Sequence, residues 1–391
     1  MNDRRPKNFK AIPGAYRRRA KLAKLRRVLT DPFERVGRLF EEQQGRGAFP
    51  GGQLVVMREG QVLFERVCGV SRGLRGESEL RGVTAETRFQ VMSASKPFVA
   101  FAVALLEGAE LVDVSAPVAR YIPEFAQNGK QDITVLEVLL HRSGVLMEAV
   151  LGNPDDWSDW GNVVRAMADA KPRFARGTLA YSPAGFGWIL GELVQRVSGQ
   201  TLEEFLLARL PPELAGVRFV DANQYANVAH SYWLGPETFM LGGHNIAVDF
   251  ESVNNEVTCV TACVPGAGLL ASARELACFY DLLVRGGCGL LRPESLAKYI
   301  TKQSFGFERQ MHVPLTLGRG FGLGSLGPHA YGWWNTGPCF GHAGGFGVVA
   351  FADPRSRAAV AIVTNGHRGV GDMIRRFAPL GSAIKSAVAR V

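Results

Sequence analysis

The stretch Thr87–Gly108, TRFQVMSASKPFVAFAVALLEG, carries the clearest structural signal in the sequence. Apolar residues recur at helical spacing in its second half and predict one buried helix face: Phe98, Phe101, Ala102 and Leu105. Pro97 has no N–H for an interior helical bond, so it belongs in the first turn and the helix must begin near Ser93. The order strand, turn, apolar helix therefore places Ser93 at the positive end of a helix.

Lys96 follows Ser93 by three residues and lies on the same helix face, within reach of the Ser93 hydroxyl. A lysine half-buried among apolar neighbours loses its proton more easily and can accept one from serine. This Ser-x-x-Lys pattern predicts a serine hydrolase that forms an acyl-enzyme on Ser93. The pattern also occurs at 295–298 and 382–385, in amphipathic helical segments that we interpret as surface positions.

Ser71 is a second candidate nucleophile, because residues 69–73 read Gly-Val-Ser-Arg-Gly and match the nucleophile elbow of α/β-hydrolases. An elbow needs a helix directly after its serine. Here a polar, glycine-containing loop follows, which favours Ser93.

Two pairs of β-rich segments flank this stretch in the sequence, one before it and one after it. Residues 51–70 predict a hairpin around 58–60, and residues 346–365 predict a second hairpin that turns at Asp353-Pro354. We expect the four strands to share one antiparallel sheet with helices packed on it, including a closing helix over 372–391. The chain is thus predicted to be α/β in the mixed, α+β sense, and its 391 residues suffice for two lobes.

The net charge of +9 belongs to the first 31 residues, which hold eleven Lys or Arg and two Asp. The remaining 360 residues are balanced, so we interpret 1–31 as a solvated basic tail, with contact to nucleic acid or a membrane as the less favoured alternative. The tail lacks the apolar stretch of a secretory signal, and we expect a cytoplasmic protein.

Six cysteines show no pairing pattern and mostly lie in apolar segments, which predicts buried free thiols. CxxC and HExxH spacings are absent from the sequence, so we expect no metal and no cofactor.

Several segments together resemble the serine β-lactamase superfamily, which comprises class C β-lactamases, penicillin-binding proteins and their esterase relatives. They occur in family order: RFQVMSASKPFVA, APVARYIPEFAQNGKQDITVLEVLLHRSGV, AYSPAGFGWILGELV, GFGLG and FGHAGGFGVVAFADP. The resemblance implies an antiparallel sheet flanked by helices, a mostly helical lobe, and the site between them. It implies a catalytic domain over 32–391, with a sheet lobe at about 32–110 and 310–391 and a helical lobe at about 111–309.

Residue by residue, the resemblance implies that Ser93 is the nucleophile and Lys96 its lysine. Tyr181, in Ala-Tyr-Ser-Pro at 180–183, matches the family tyrosine that helps move the proton between serine and leaving group. The resemblance also implies an oxyanion hole made by the backbone N–H groups of Ser93 and Gly345. His141 resembles the family's His-Thr-Ser-Gly turn, and we interpret it as structural.

His342-Ala343-Gly344 falls where the lactam-binding relatives have Lys-Thr-Gly on the strand beside the site. The run of small residues Ala343, Gly344 and Gly345 makes sense if a substrate lies along that strand. We predict that His342 and Gly344 bind substrate, with His342 as a hydrogen-bond donor or pH-sensitive polar group. Trp333 and Trp334 precede the strand and either wall an acyl pocket, together with Phe340, or pack in the core.

Two departures from the family pattern bear on the substrate. Pro183 stands where the family often has an asparagine that holds the amide of the substrate, and His342 replaces the lysine that would anchor a carboxylate. Both changes favour a carboxylesterase for small or medium esters. The alternatives are an acyltransferase or amide-forming enzyme, a hydrolase of β-lactams or D-amino-acid peptides, and a non-catalytic binding relative. The oligomeric state stays open.

Overall fold

The computed structural model describes residues 31–147, 155–220, 222–241, 244–345 and 347–391. The basic tail, apart from its last residue, lies outside this part of the chain. The strands of the described residues, in chain order, are β1 Gly51–Arg58, β2 Gln61–Arg72, β3 Arg81–Gly82, β4 Phe89–Gln90, β5 Tyr232–Trp233, β6 Met240–Leu241, β7 His244–Asn245, β8 Leu270–Ala271, β9 Ser304–Phe307, β10 Pro314–Leu317, β11 Gly322–Leu323, β12 Phe340–Gly344, β13 Val348–Asp353, β14 Ala358–Thr364 and β15 Gly366–His367.

Within the described ranges, nine of these strands form one antiparallel sheet in the order β3-β2-β1-β14-β13-β12-β11-β10-β9. The two predicted hairpins are confirmed as β1–β2 and β13–β14, and they meet because β1 pairs with β14, with Val55 opposite Ala361. The predicted antiparallel sheet is therefore confirmed. The short strands β9 to β11 were not predicted, since each has only two to four residues.

Helices cover both faces of the sheet. The α-helices of the described residues are α1 Glu34–Gly45, α2 Lys96–Gly108, α3 Val135–Leu139, α4 Asp155–Ser158, α5 Trp160–Asp169, α6 Gly185–Ser198, α7 Leu202–Leu207, α8 Ile246–Asn255, α9 Val257–Thr261, α10 Ala273–Val284, α11 Pro293–Ile300 and α12 Val370–Val388. Helices α1 and α12 pack on one face, while α2 and α10 belong to the core on the other face. The closing helix begins two residues before its predicted start at 372 and ends at Val388.

The central strands are apolar on both faces, because each face is covered by helices. In β1, Leu54 and Val56 join the cluster under α1 and α12, whereas Val55 and Met57 join the larger cluster around α2. This follows from the alternation of side chains along a strand. The predicted α/β class with helices flanking an antiparallel sheet is confirmed.

The larger core continues from the sheet into the helices between α2 and β9. Strand β9 already begins at Ser304, before the boundary predicted at about 310. The division into a sheet lobe and a helical lobe otherwise stays a prediction.

Five cysteines have no disulfide partner within the described ranges, and burial raises the pKa of Cys68 to about 12. Cys288 is exposed, unlike the buried thiols that the sequence predicts. Across the described part of the chain, no helix has the length and apolar character needed to cross a membrane.

Candidate active site

The turn that carries Ser93 lies between β4 and α2. Residues Met92–Ser95 form a 3-10 turn that leads directly into α2, with Pro97 in its first turn, so the predicted helix start is confirmed. The Ser95 hydroxyl donates to Met92 O at 2.6 Å and accepts from the Leu269 N–H at 3.1 Å, which fixes the turn. Met92 has φ of 50°, a conformation uncommon for a residue with a side chain.

Lys96 is completely buried, and its Nζ lies 3.2 Å from Ser93 Oγ. Nζ also donates to Pro183 O at 3.0 Å and to Gly266 O at 2.9 Å. Carbonyl oxygens can only accept hydrogen bonds, so these two contacts use both N–H groups of a neutral lysine amine. The lone pair of neutral Lys96 is therefore left for the Ser93 hydroxyl.

Burial also sets the charge of Lys96. Removing the ammonium group from water lowers the pKa of Lys96 to about 7. A substantial fraction of this side chain is then neutral at physiological pH. Ser93 remains partly exposed to solvent.

The Tyr181 side chain lies next to those of Ser93 and Lys96. Its side chain forms a hydrogen bond with Ser93, and Lys96 Nζ lies 5.1 Å from the centre of its ring. Burial raises the pKa of Tyr181 above its usual value, so the phenol stays protonated. The structure thus brings together the three residues that the sequence assigned to catalysis.

His342 lies on β12, and its ring centre is 6.3 Å from that of Tyr181. Its Nδ1 is 2.6 Å from Ala343 O, so Nδ1 carries the proton and the neutral ring presents Nε2 as an acceptor. Burial, and to a lesser degree the charge of Lys96, lowers the pKa of His342 to about 4. At neutral pH the ring is uncharged and Nε2 carries no proton to donate, so the predicted role as a donor does not fit there, and the predicted role as a pH-sensitive polar group stays a prediction.

Strand β12 ends against the Ser93 turn. A Cβ on Gly344 would lie 2.0 Å from Val91 O and 3.0 Å from Ala94 N, so only glycine fits there. Gly345 has φ of 51°, and a Cβ on it would lie 2.5 Å from Met92 Cγ. The two glycines lie beside the turn that carries Ser93, as expected, and their roles toward substrate stay predictions.

Trp333 and Trp334 lie elsewhere. Both belong to the loop before β12, where the Trp333 N–H donates to Ser382 Oγ of α12, on the other face of the sheet from α2. They are 37% and 70% exposed, so they do not pack in the core either. Phe340 is buried against Phe321. The structure does not bring the two tryptophans to Ser93.

The other candidate serines have different surroundings. Ser71 is buried in β2, where its hydroxyl lies within hydrogen-bond distance of Arg81 O and Gly82 O, and a turn rather than a helix follows the strand. Ser295 lies in α11, and Ser382 lies in α12. Within the residues that the structure describes, no group of three or more His, Cys, Asp or Glu is arranged to hold a metal ion.

Three residues that position this site were not identified from the sequence: Gly266, His367 and Glu308. His141, which we interpret from the sequence as structural, is a fourth positioning residue. Gly266 supplies a carbonyl to Lys96, and His367 Nδ1 donates to Gly345 O at 2.5 Å. His141 accepts the Ser182 N–H at Nδ1 at 3.0 Å, and Glu308 accepts the Tyr181 N–H at 2.5 Å.

One of them, Gly266, left an indirect signal in the sequence at Gly187. Gly187 stands inside α6, where a Cβ would lie 2.2 Å from Gly266 N. A glycine inside a helix costs stability relative to alanine, so its presence there points to a close packing contact. The partner itself cannot be read from the sequence.

The model of the beta-lactamase family matches residues 36–382. The chain belongs to the beta-lactamase family. The esterase/beta-lactamase LipL of Mycobacterium tuberculosis is 28% identical over 86% of this chain and 82% of its own length. Esterase EstB of Burkholderia gladioli is 27% identical over 90% of this chain and 94% of its own.

The fold of this beta-lactamase family member is also found among solved structures. The crystal structure of a family VIII carboxylesterase superposes with a TM-score of 0.77 at 24% identity, covering 92% of this chain and 98% of that one. The predicted membership of the serine β-lactamase superfamily, with esterase relatives, is confirmed.

Proposed function

We propose that this beta-lactamase family hydrolase is a carboxylesterase that cleaves small or medium neutral esters through an acyl-enzyme on Ser93. The observation that carries the proposal is the placement of Lys96, whose two carbonyl partners leave its lone pair for the Ser93 hydroxyl. The low pKa of Lys96, about 7, supports its action as the base.

The proposed acylation begins when Ser93 Oγ attacks the ester carbon and its proton passes to Lys96 Nζ. The carbonyl electron pair moves to oxygen, where the backbone N–H groups of Ser93 and Gly345 stabilise the charge. As the intermediate collapses, the C–O bond to the alcohol breaks and the alkoxide takes the Tyr181 proton. Tyr181 recovers a proton from Lys96, and water then releases the acid by the same steps.

The preference for neutral esters rests on two positions. His342 is uncharged at neutral pH, so it offers no cation to a substrate carboxylate. Pro183 has no side-chain amide, and its carbonyl already binds Lys96. The names of EstB and LipL support ester chemistry, and that of LipL also includes β-lactamase, so the test must include a β-lactam.

The test compares p-nitrophenyl esters of graded chain length with a fluorescent penicillin. We expect kcat/KM for short esters to exceed that for penicillin acylation by at least about 10-fold to 100-fold, since a missing charge-assisted hydrogen bond costs about 1.5–3 kcal/mol. The double variant Pro183→Asn with His342→Lys should raise penicillin acylation.

Faster turnover of penicillin than of any ester by the parent protein would contradict the esterase proposal. Repeating the ester assay with added alcohols and amines distinguishes hydrolysis from acyl transfer, because transfer yields a new ester or amide instead of the free acid.

A further inference from the structure

Glu308 is a fully buried carboxylate in the turn between β9 and β10. Its Oε1 accepts the N–H groups of Tyr181 at 2.5 Å and of Gln310 at 2.6 Å, and its Oε2 accepts that of Met311 at 2.6 Å. None of the ion pairs among the described residues involves this carboxylate. Burying a charge without a counter-charge costs free energy, and the three backbone N–H donors offset that cost for the Glu308 carboxylate.

Further hydrogen bonds tie the same turn to the segment that carries Tyr181. The Arg309 N–H donates to Leu179 O at 3.1 Å, while the Glu308 N–H closes the turn on Val313 O. The β9–β10 turn therefore binds the backbone on both sides of Ala180. The β9–β10 hairpin thus holds the backbone of the Tyr181 segment in place beside Ser93.

The opposite side of the segment is held by His141. The Ala180 N–H donates to His141 O at 2.9 Å, and the His141 ring stacks on the Tyr181 ring at 4.5 Å. Burial keeps the pKa of His141 well below its usual value, so this ring is neutral. Further along the segment Lys96 Nζ donates to Pro183 O at 3.0 Å, and Glu308 is the carboxylate that holds the Tyr181 N–H itself.

We infer that Glu308 is a positioning residue for Tyr181: by holding the Tyr181 N–H, its carboxylate keeps the phenol at hydrogen-bond distance from Ser93. The inference rests on the proposed function, because the phenol must reach both Ser93 and the departing alcohol. A displacement of about 1 Å at a catalytic group costs on the order of 100-fold in rate. The charge of Glu308 also raises the pKa of Tyr181, which helps keep the phenol a proton donor.

A loss of positioning has a specific kinetic signature. A departing alkoxide from an alkyl ester needs a proton from Tyr181, whereas p-nitrophenolate leaves without one. Damage to Tyr181 positioning should therefore slow acylation by alkyl esters much more than acylation by nitrophenyl esters. The ratio of the two kcat/KM values for one acyl group does not depend on the fraction of folded enzyme.

The test variant is Glu308→Gln, which keeps the size but loses the charge and one acceptor oxygen. The matched control is Glu203→Gln in α7, since Glu203 Oε2 also accepts two backbone N–H groups, those of Phe219 at 2.6 Å and Val220 at 2.7 Å. We expect Glu308→Gln to lower the alkyl-to-nitrophenyl ratio roughly 10-fold to 100-fold. Glu203→Gln should leave the ratio unchanged within about twofold.

A double-mutant cycle with Tyr181→Phe completes the experiment. In that background Glu308→Gln should change the ratio by less than about twofold, because the phenol it positions is gone. An unchanged ratio in Glu308→Gln, or an equal drop in both backgrounds, would overturn the inference. If Glu308→Gln does not fold, Glu308→Asp, which retracts the carboxylate by one methylene, is judged by the same ratio.

Failure of the inference and failure of the proposed function give different results. If Tyr181→Phe lowers the ratio and Glu308→Gln does not, only the role of Glu308 is wrong. If Ser93→Ala still hydrolyses both esters, the proposed function itself is wrong.

Discussion

The pattern Ser-x-x-Lys at Ser93 and at Ser382 has the same spacing but very different surroundings. Ser93 stands in a 3-10 turn, and carbonyls from two other segments hold Lys96 beside it. Ser382 stands inside α12, and its hydroxyl accepts the Trp333 N–H at 2.9 Å. The comparison teaches that four residues do not make the site. The carbonyls of Pro183 and Gly266, which orient Lys96 toward Ser93, do.

The largest difference between the two regions should appear on replacing each lysine by methionine. We expect Lys96→Met to lower kcat/KM for a p-nitrophenyl ester roughly 100-fold to 10,000-fold, the range for loss of a general base, and Lys385→Met to change it less than about twofold. Steady-state kinetics on both variants and the parent measure this. Comparable losses in the two variants would remove the distinction between the regions.

The pH profile sharpens the same comparison. Lys96 accepts a proton only when neutral, so kcat/KM should fall about tenfold per pH unit below pH 7 and level off above it, following its pKa of about 7. Lys385→Met should keep this fall of kcat/KM on the acid side, and Lys96→Met should lose it. A limb near pH 4 instead would assign the titrating group to His342, whose pKa is about 4.

The smallest difference concerns stability. Ser382→Ala removes the acceptor for the Trp333 N–H, so it should lower the free energy of unfolding by about 1 kcal/mol and the melting temperature by about 2 °C. The bonds that the structure gives the Ser93 side chain go to Lys96 and Tyr181, and Ser93→Ala should melt within about 1 °C of the parent. Thermal unfolding of both variants checks this, and a larger drop for Ser93→Ala would contradict it.

The sequence predicted the parts of the fold that depend on local pattern. The two hairpins, the start of α2 at Pro97 and the apolar face of that helix follow from residues close together in the chain. Strands β9 to β11 escaped prediction, because each is too short to show alternation. Of the three, β11 pairs with β12, which lies further along the chain.

Among the site residues, too, those that depend on nearby sequence could be predicted and those that depend on distant partners could not. Ser93 and Lys96 were predicted from one turn, and Tyr181 from the family resemblance. Glu308 could not be predicted, because its partner Tyr181 lies 127 residues away and a lone glutamate in a turn looks like a surface residue. For Trp333 and Trp334, closeness in sequence to β12 suggested a place in the acyl pocket near Ser93. The Trp333 N–H instead donates to Ser382 of α12, which packs on the other face of the sheet.

The central claim is that Ser93 alone receives the acyl group. The most direct measurement is intact-mass spectrometry after rapid quenching of the protein with p-nitrophenyl acetate, followed by peptide mapping of the parent and of Ser93→Ala. The account predicts one acetyl group on the parent, located on the peptide that contains Ser93, and none on Ser93→Ala. An acetyl group on Ser71, Ser295 or Ser382, or an undiminished adduct on Ser93→Ala, would contradict it.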